Sequence, residues 1–249
     1  MNLTALHDKG TEIRALIISE AASEGHAKPM KKIDAVINSP YDANCRRCER
    51  LANFLTDTKH SYPNYFCKPV PAFGVEKPKL FVVGLAPGMH GANATGRPFT
   101  GDHAGILLYE TLHKFGYASA SQSVSVNDGL FLIGCRISNA VKCLPPGNKP
   151  TLDEIKTCNT YLRTELLDLP ESTRILALGS VAHNAVLMSF GLKASAAKFG
   201  HGAQHQLPTG HTLFDSYHCS RYNTNTKRLT EATFHAVFAN IEAHLLQSA

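Results

Sequence analysis

From Lys79 onward the chain alternates short apolar runs with longer amphipathic stretches. The runs at 79–83, 130–133, 174–178 and 212–217 are rich in Leu, Ile, Val and Phe and read as strands. Between them, apolar positions recur at helical spacing near 104–115, 153–167 and 181–190, and again near 230–246. Strands alternating with helices predict an α/β fold built on a parallel sheet with helices on its faces. The helix near 153 has a marked start, because Thr151 and Glu154 form a T-x-x-E capping box behind Pro150. On that helix Ile155, Cys158, Leu162 and Leu166 share one face, which turns Cys158 inward. Upstream, residues 1–40 read as a helical arm in which Leu6, Ile13, Leu16 and Ile17 recur at helical spacing, and residues 41–249 read as one domain.

In open parallel sheets, ligands bind beyond the carboxyl ends of the strands. The unusual polar residues of this chain fall there. The first strand runs into 84–102, the second into 135–146 and the fourth into His218, Cys219 and Ser220, so three loops are expected to meet at one edge.

Composition adds modest constraints. The 249 residues are 43% hydrophobic, enough for a sizeable core, and the formal net charge of +5 suits a polyanionic partner without demanding one. No apolar run has the length of a membrane span and none follows a basic start, so a cytoplasmic protein without membrane contact is expected. Seven cysteines then point to reduced thiols and to metal binding or burial. Cys45 and Cys48 form C-x-x-C, while Cys143 and Cys158 are separated by fourteen residues. Four thiolates are what an iron–sulfur cluster needs. Buried free cysteines are the plain alternative, and zinc the sharper one, although its second half is usually another close pair. The cluster is preferred. Cys67, Cys135 and Cys219 have no such spacing.

The segment GLAPGMHGANATGRPFTGD follows a strand and is rich enough in glycine for backbone to approach a ligand closely. A nucleotide phosphate loop is one reading, but the segment has no Gly-Lys-Ser/Thr ending and no clean G-x-G-x-x-G followed by an acid. Phe99 reads as a core anchor or as a flat face for a flipped base. Asn139 in SNAVKC is a turn residue or an amide matching the mixed donor and acceptor edge of a pyrimidine. His218 can reach a leaving base and Ser220 a phosphate oxygen. Asp102 is the one carboxylate of the first loop. It suits either a helix N-cap or a group that orients water and stabilises a cationic sugar. Arg221, Lys227 and Arg228 form a modest basic patch.

Together, GLAPGMHGANATGRPFTGD, NAVKCLPPGNKP with Cys158 following, and HCSRYNTNTKRLT resemble the type B uracil-DNA glycosylases, the fifth family of the uracil-DNA glycosylase superfamily. The resemblance implies three layers with a central four-stranded parallel sheet, a 4Fe-4S cluster on Cys45, Cys48, Cys143 and Cys158, and hydrolysis of a base–sugar bond that leaves an abasic site. Asp102, Asn139 and His218 would be catalytic. Gly84, Leu85, Ala86, Pro87, Gly88, His90, Phe99, Asn139, Ser220 and Arg221 would contact the substrate, with Phe99 stacking on the base and Asn139 reading its edge. Leu85 stands where related families handle water with a polar residue, so that task moves to Asp102 or His218. Three positions depart from the pattern: Ala94 for a common Arg, Cys219 for Pro and Lys227 for Gly.

The expected reaction releases uracil, hypoxanthine or xanthine from double-stranded DNA, with single-stranded DNA as a second substrate, by a monomer in base excision repair. Without an obvious amine nucleophile in the loops, no strand-nicking step is expected. Two rivals come from other classes: a non-catalytic damaged-DNA-binding iron–sulfur module, and a nucleotide-dependent enzyme using 84–96 as a phosphate loop.

Overall fold

A computed structural model describes residues 41–247. The helical arm expected at 1–40 lies outside the described residues. Six strands form one sheet in the order β1-β3-β2-β4-β6-β5. Its four central strands are β3 (Cys135–Asn139), β2 (Leu80–Gly84), β4 (Arg174–Leu178) and β6 (Thr212–Ser216), all parallel. Short antiparallel strands, β1 (Phe73–Gly74) and β5 (Gln204–Gln206), add one at each edge.

Period-two alternation along the strands divides the core between two helical layers. Leu80, Val82, Ile137, Leu176 and Phe214 face one side and pack with Leu108, Tyr109 and Leu112 of α3 (His103–Lys114) and with Phe234 and Phe238 of α7 (Glu231–Gln247). Phe81, Val83, Ile175 and Ala177 face the other, against Leu162 and Leu166 of α4 (Leu152–Leu167) and Ala182 and Val186 of α5 (Ser180–Ser189). Strands covered on both faces explain the near-continuous apolar runs that the sequence displays. The Thr151–Glu154 capping box is formed at the start of α4, and Cys158, Leu162 and Leu166 are buried along it.

The second strand sits elsewhere than expected. The run at 130–133 makes only one antiparallel bridge, Ala118 to Leu132, and leaves Phe131 and Ile133 exposed. Gly134 then turns the chain at φ 60°, and the parallel strand begins at Cys135. Its polar residues hid it. Arg136 donates to the Val75 carbonyl at the sheet edge, and Ser138 joins the buried pair of Lys142 and Glu165.

A helix the apolar pattern does not announce, α1 (Glu49–Ser61), buries Leu51 and Leu55 against Val141, Leu144, Cys158 and Tyr161. Two further short helices flank the loops at the sheet's carboxyl edge, α2 (Ala92–Thr95) and α6 (Arg221–Asn225). Among the described residues no helix is long and apolar enough to cross a membrane.

After α6 the chain turns at Lys227, which adopts φ 56°, in the left-handed region that disfavours a Cβ. This is the position where the resemblance leads one to expect glycine. Lys227→Gly is predicted to leave stability unchanged or raise it by up to about 1 kcal/mol, as relief of that strain outweighs the added unfolded-chain entropy. A drop in the urea midpoint would show that the Lys227 side chain contributes more than its backbone costs.

Candidate active site

The carboxyl ends of β2, β3 and β6 open into a cleft of about 610 Å3. Its wall includes Leu85, Ala86, Gly88, His90, Phe99 and Asp102 from the first loop, Asn139 from the second, and His218, Ser220 and Arg221 from the third. Gly84 and Pro87, both expected to contact a ligand, lie behind that wall. Gly84 has a different task. A Cβ there would come within 2.4 Å of Asn139 Oδ1 and 2.6 Å of the Phe99 ring, so only glycine lets the two lie over the strand end.

Asn139 closes β3 directly beside Gly84 in the parallel ladder, and the ladder continues as Ala140 and Val141 donate to the Gly84 and Leu85 carbonyls. Phe99 is a strained residue, at φ 55°. Its neighbours hold it there. The Tyr109 hydroxyl donates to the Pro98 carbonyl at 2.9 Å, Thr100 and Ser123 share a hydrogen bond of 2.7 Å, and Arg97 pairs with Asp128 at 2.8 Å. Arg97 and hydrogen bonds from the backbone of Leu130, Ser125 and Val124 carry the Asp128 carboxyl far below the ordinary range, against the desolvation that would raise it.

Asp102 is the N-cap of α3 and also lines the cleft. One oxygen accepts from the Gly105 amide at 2.9 Å as the N-cap of α3. The other lies beside Gly88 and Gly91, where a Cβ on Gly91 would meet it at 2.5 Å. Burial raises the Asp102 pKa, partly offset by hydrogen bonds from Gly105 and Ala104. His218 lies with its ring 5.8 Å from that of Phe99 and 29° from parallel. Burial pushes its imidazole down to about 4, so it is neutral at pH 7. The Asn223 amide donates to the His218 carbonyl at 2.8 Å, and Cys219, the Pro replacement, is buried in the core. Ser220 caps α6 by accepting from the Asn223 backbone. Arg221 opens that helix, exposed at the rim.

The architecture and the wall chemistry converge with what comparison with known proteins finds. Residues 71–242 match the family model of the uracil DNA glycosylase superfamily. A type-5 uracil-DNA glycosylase of Thermus thermophilus is 45% identical over 195 residues, 76% of this chain and 89% of its own. The chain belongs to the uracil-DNA glycosylase superfamily. Type-5 uracil-DNA glycosylases of Mycobacterium leprae (41% identical over 78% of this chain and 88% of its own) and Pyrobaculum aerophilum (39% over 80% and 88%) are similar as well. A type-4 enzyme of Archaeoglobus fulgidus is further off, at 30% over 66% of this chain and 68% of its own.

Within the 84–102 segment the individual wall residues Met89, Gly91, Ala92 and Gly101 were not singled out by sequence reasoning, and outside it His103, Ala104 and Asn148 were missed. His103 and Ala104 follow Asp102 directly, and His103 Nε2 lies 3.0 Å from Thr224 Oγ1, joining the first and third loops. Asn148 arrives by the Pro146–Asn148 turn, at φ 56°. The Pro-Pro-Gly-Asn run was the available signal.

The four spaced cysteines come together behind the cleft. Cys45 and Cys48, just before α1, meet Cys143 after β3 and Cys158 of α4 around one small pocket, with Leu51, Pro69, Lys142 and Tyr161. The Lys142 amide donates to Cys158 Sγ at 3.2 Å, as amides do to cluster-bound sulfur. Among the described residues, the one trio of ligand atoms all within 4.8 Å of one another is His183, His205 and Asp215, so no three of the sulfurs are that close together. A zinc tetrathiolate would hold them about 3.8 Å apart. The His–Asp trio reads as a buried ion pair: Nδ1 of His183 faces Asp215 Oδ1 at 2.8 Å and Nε2 faces the Ala197 carbonyl at 3.0 Å. Two acceptors call for two ring protons, and Asp215 raises the His183 pKa against the opposing effect of burial.

Proposed function

We propose that this chain is a monofunctional uracil-DNA glycosylase, hydrolysing the N-glycosidic bond of a deaminated base flipped out of DNA and leaving an abasic site for base excision repair. One observation carries the reading: a neutral histidine, a carboxylate, an amide and an aromatic face share one cleft in a chain 39–45% identical to type-5 uracil-DNA glycosylases. Uracil, hypoxanthine and xanthine are the candidate bases, in double-stranded DNA, with the protein acting as a cytoplasmic monomer.

In this mechanism the base stacks on Phe99 while the Asn139 amide pairs with its edge. The bond between C1′ and the base nitrogen breaks first, its electron pair leaving with the base. His218, neutral because it is buried, donates an N–H hydrogen bond to the departing anion. The backbone amides from Ala86 to Met89 add oriented dipoles. The cation left on the sugar is stabilised by Asp102, which also takes the proton of the attacking water. Its raised pKa makes it a stronger base than an exposed carboxylate. Arg221 and Ser220 face the strand's phosphates. No lysine lines the described cleft, and the nearby Lys142 is buried against Glu165, which argues against an amine-dependent strand cut.

Excess protein incubated with duplexes carrying one uracil, hypoxanthine or xanthine should give alkali-labile breaks at the lesion. His218→Ala and Asp102→Asn should each lower the single-turnover rate by about 100-fold or more. The wild-type rate should fall on the acid side at a pH above the ordinary carboxylate value, as Asp102 takes up a proton, and Asp102→Asn should lack that limb. Binding without breaks on any duplex would favour the non-catalytic damage-binding module instead.

Cys45, Cys48, Cys143 and Cys158 would hold a 4Fe-4S cluster, supported by the single pocket that all four line. The cluster would supply a cross-link between the start of α1, the loop after β3 and α4. Cys48→Ala should therefore lose iron and lower the thermal midpoint. Iron loss with unchanged stability would remove this structural role.

A further inference from the structure

An aromatic group stands at the mouth of the cleft, outside the residues that the reaction uses. Tyr62 caps the end of α1, and the turn that follows brings Tyr65 back so that the two rings stack at 4.6 Å and 14°. His90, which lines the cleft, meets both rings edge-on at 5.6 and 5.9 Å, with its Nδ1 2.8 Å from the Tyr65 hydroxyl. The group is fastened to the first loop. Phe66 and Cys67 donate backbone hydrogen bonds of 3.0 Å to Ala94 and Asn93, and the Phe66 ring lies under Gly96.

Burial does not account for this arrangement. Tyr62 remains 40% exposed and belongs to none of the three hydrophobic clusters of the core. The segment that carries the two tyrosines has charge of one sign: residues 59–68 carry Lys59, His60 and Lys68 and no carboxylate. Lys59 is turned onto the platform by a hydrogen bond from its ammonium to the Tyr65 carbonyl. A rigid aromatic face bordered by cations is the pairing that holds unpaired nucleic-acid strands, since every base offers a π face and every nucleotide a phosphate.

We propose that Tyr62, Tyr65 and His90 form a subsite that stacks an unpaired nucleobase flanking the nucleotide held in the cleft, with Lys59 and Lys68 beside the strand's phosphates. This deepens the glycosylase reading and rests on it. In a duplex the flanking base stays paired and cannot reach the platform. The subsite therefore acts on single-stranded DNA, or on the unpaired strand of a bubble.

The test compares wild type, Tyr62→Ala, Tyr62→Leu and Tyr62→Phe on one uracil-containing sequence, offered as a single strand and as a duplex. Tyr62→Ala and Tyr62→Leu should lower kcat/KM on the single strand about tenfold and change the duplex by less than about twofold, while Tyr62→Phe keeps the wild-type values. Equal losses on both substrates, or no loss on the single strand, would overturn the subsite. Binding is read separately, with 2-aminopurine placed next to a cleavage-resistant 2′-fluoro-deoxyuridine in the single strand. Wild type and Tyr62→Phe should quench its fluorescence by stacking and Tyr62→Ala should not. Were the wild type to release no uracil, the glycosylase reading would fall. The quenching would still decide the platform, surviving if it depends on an aromatic ring at 62 and failing if it does not.

Discussion

Two parallel strands end side by side at Gly84 and Asn139, and the missing side chain at Gly84 leaves the space in which the Asn139 amide and the Phe99 ring lie over the backbone. The rest of the cleft is arranged around that close approach. Phe99 can occupy it only with a left-handed backbone, a conformation that costs about 1–2 kcal/mol for a residue with a Cβ. Tyr109, Thr100 and the nearly buried Arg97–Asp128 pair fix the segment on both sides of Phe99. Strain kept at a binding face by a surrounding network is the behaviour expected of a preorganised site.

Burial then sets the chemistry of the side chains that meet there. The same desolvation that keeps His218 uncharged raises Asp102, so one cleft holds a neutral donor and a carboxylate of increased basicity. Behind it, the cysteine pocket and Lys142–Glu165 draw the β3 loop against α1 and α4. The elements that present Asn139 are thus supported from two directions, by the sheet ladder in front and by this packing behind.

Much of this was legible in the sequence because its signals are local. The apolar runs of β2, β4 and β6, the Thr151–Glu154 cap and the glycine-rich segment after β2 each depend on a few adjacent residues. β3 was misplaced at 130–133 because Arg136 and Ser138 find partners only in the folded state, and a polar residue whose partner is distant looks like a solvent-facing one. α1 escaped notice for a related reason, since its buried Leu51 and Leu55 pack around the cysteine pocket rather than against the sheet. For the site, the loops pointed to residues that mostly share one cleft wall, but not to their structural tasks. Ser220 and Asp102 both serve as helix caps, and Gly84 sits behind the wall, distinctions that depend on three loops meeting in space.

The most direct test is Gly84→Ala, read by single-turnover release of uracil from DNA alongside the urea midpoint. The added methyl group must displace Asn139 or Phe99, so base release should fall by about 100-fold or more while Asp102 and His218 remain in place. Release within about twofold of wild type from a folded Gly84→Ala protein would contradict the account, because the close approach at Gly84 would then not be what places the base.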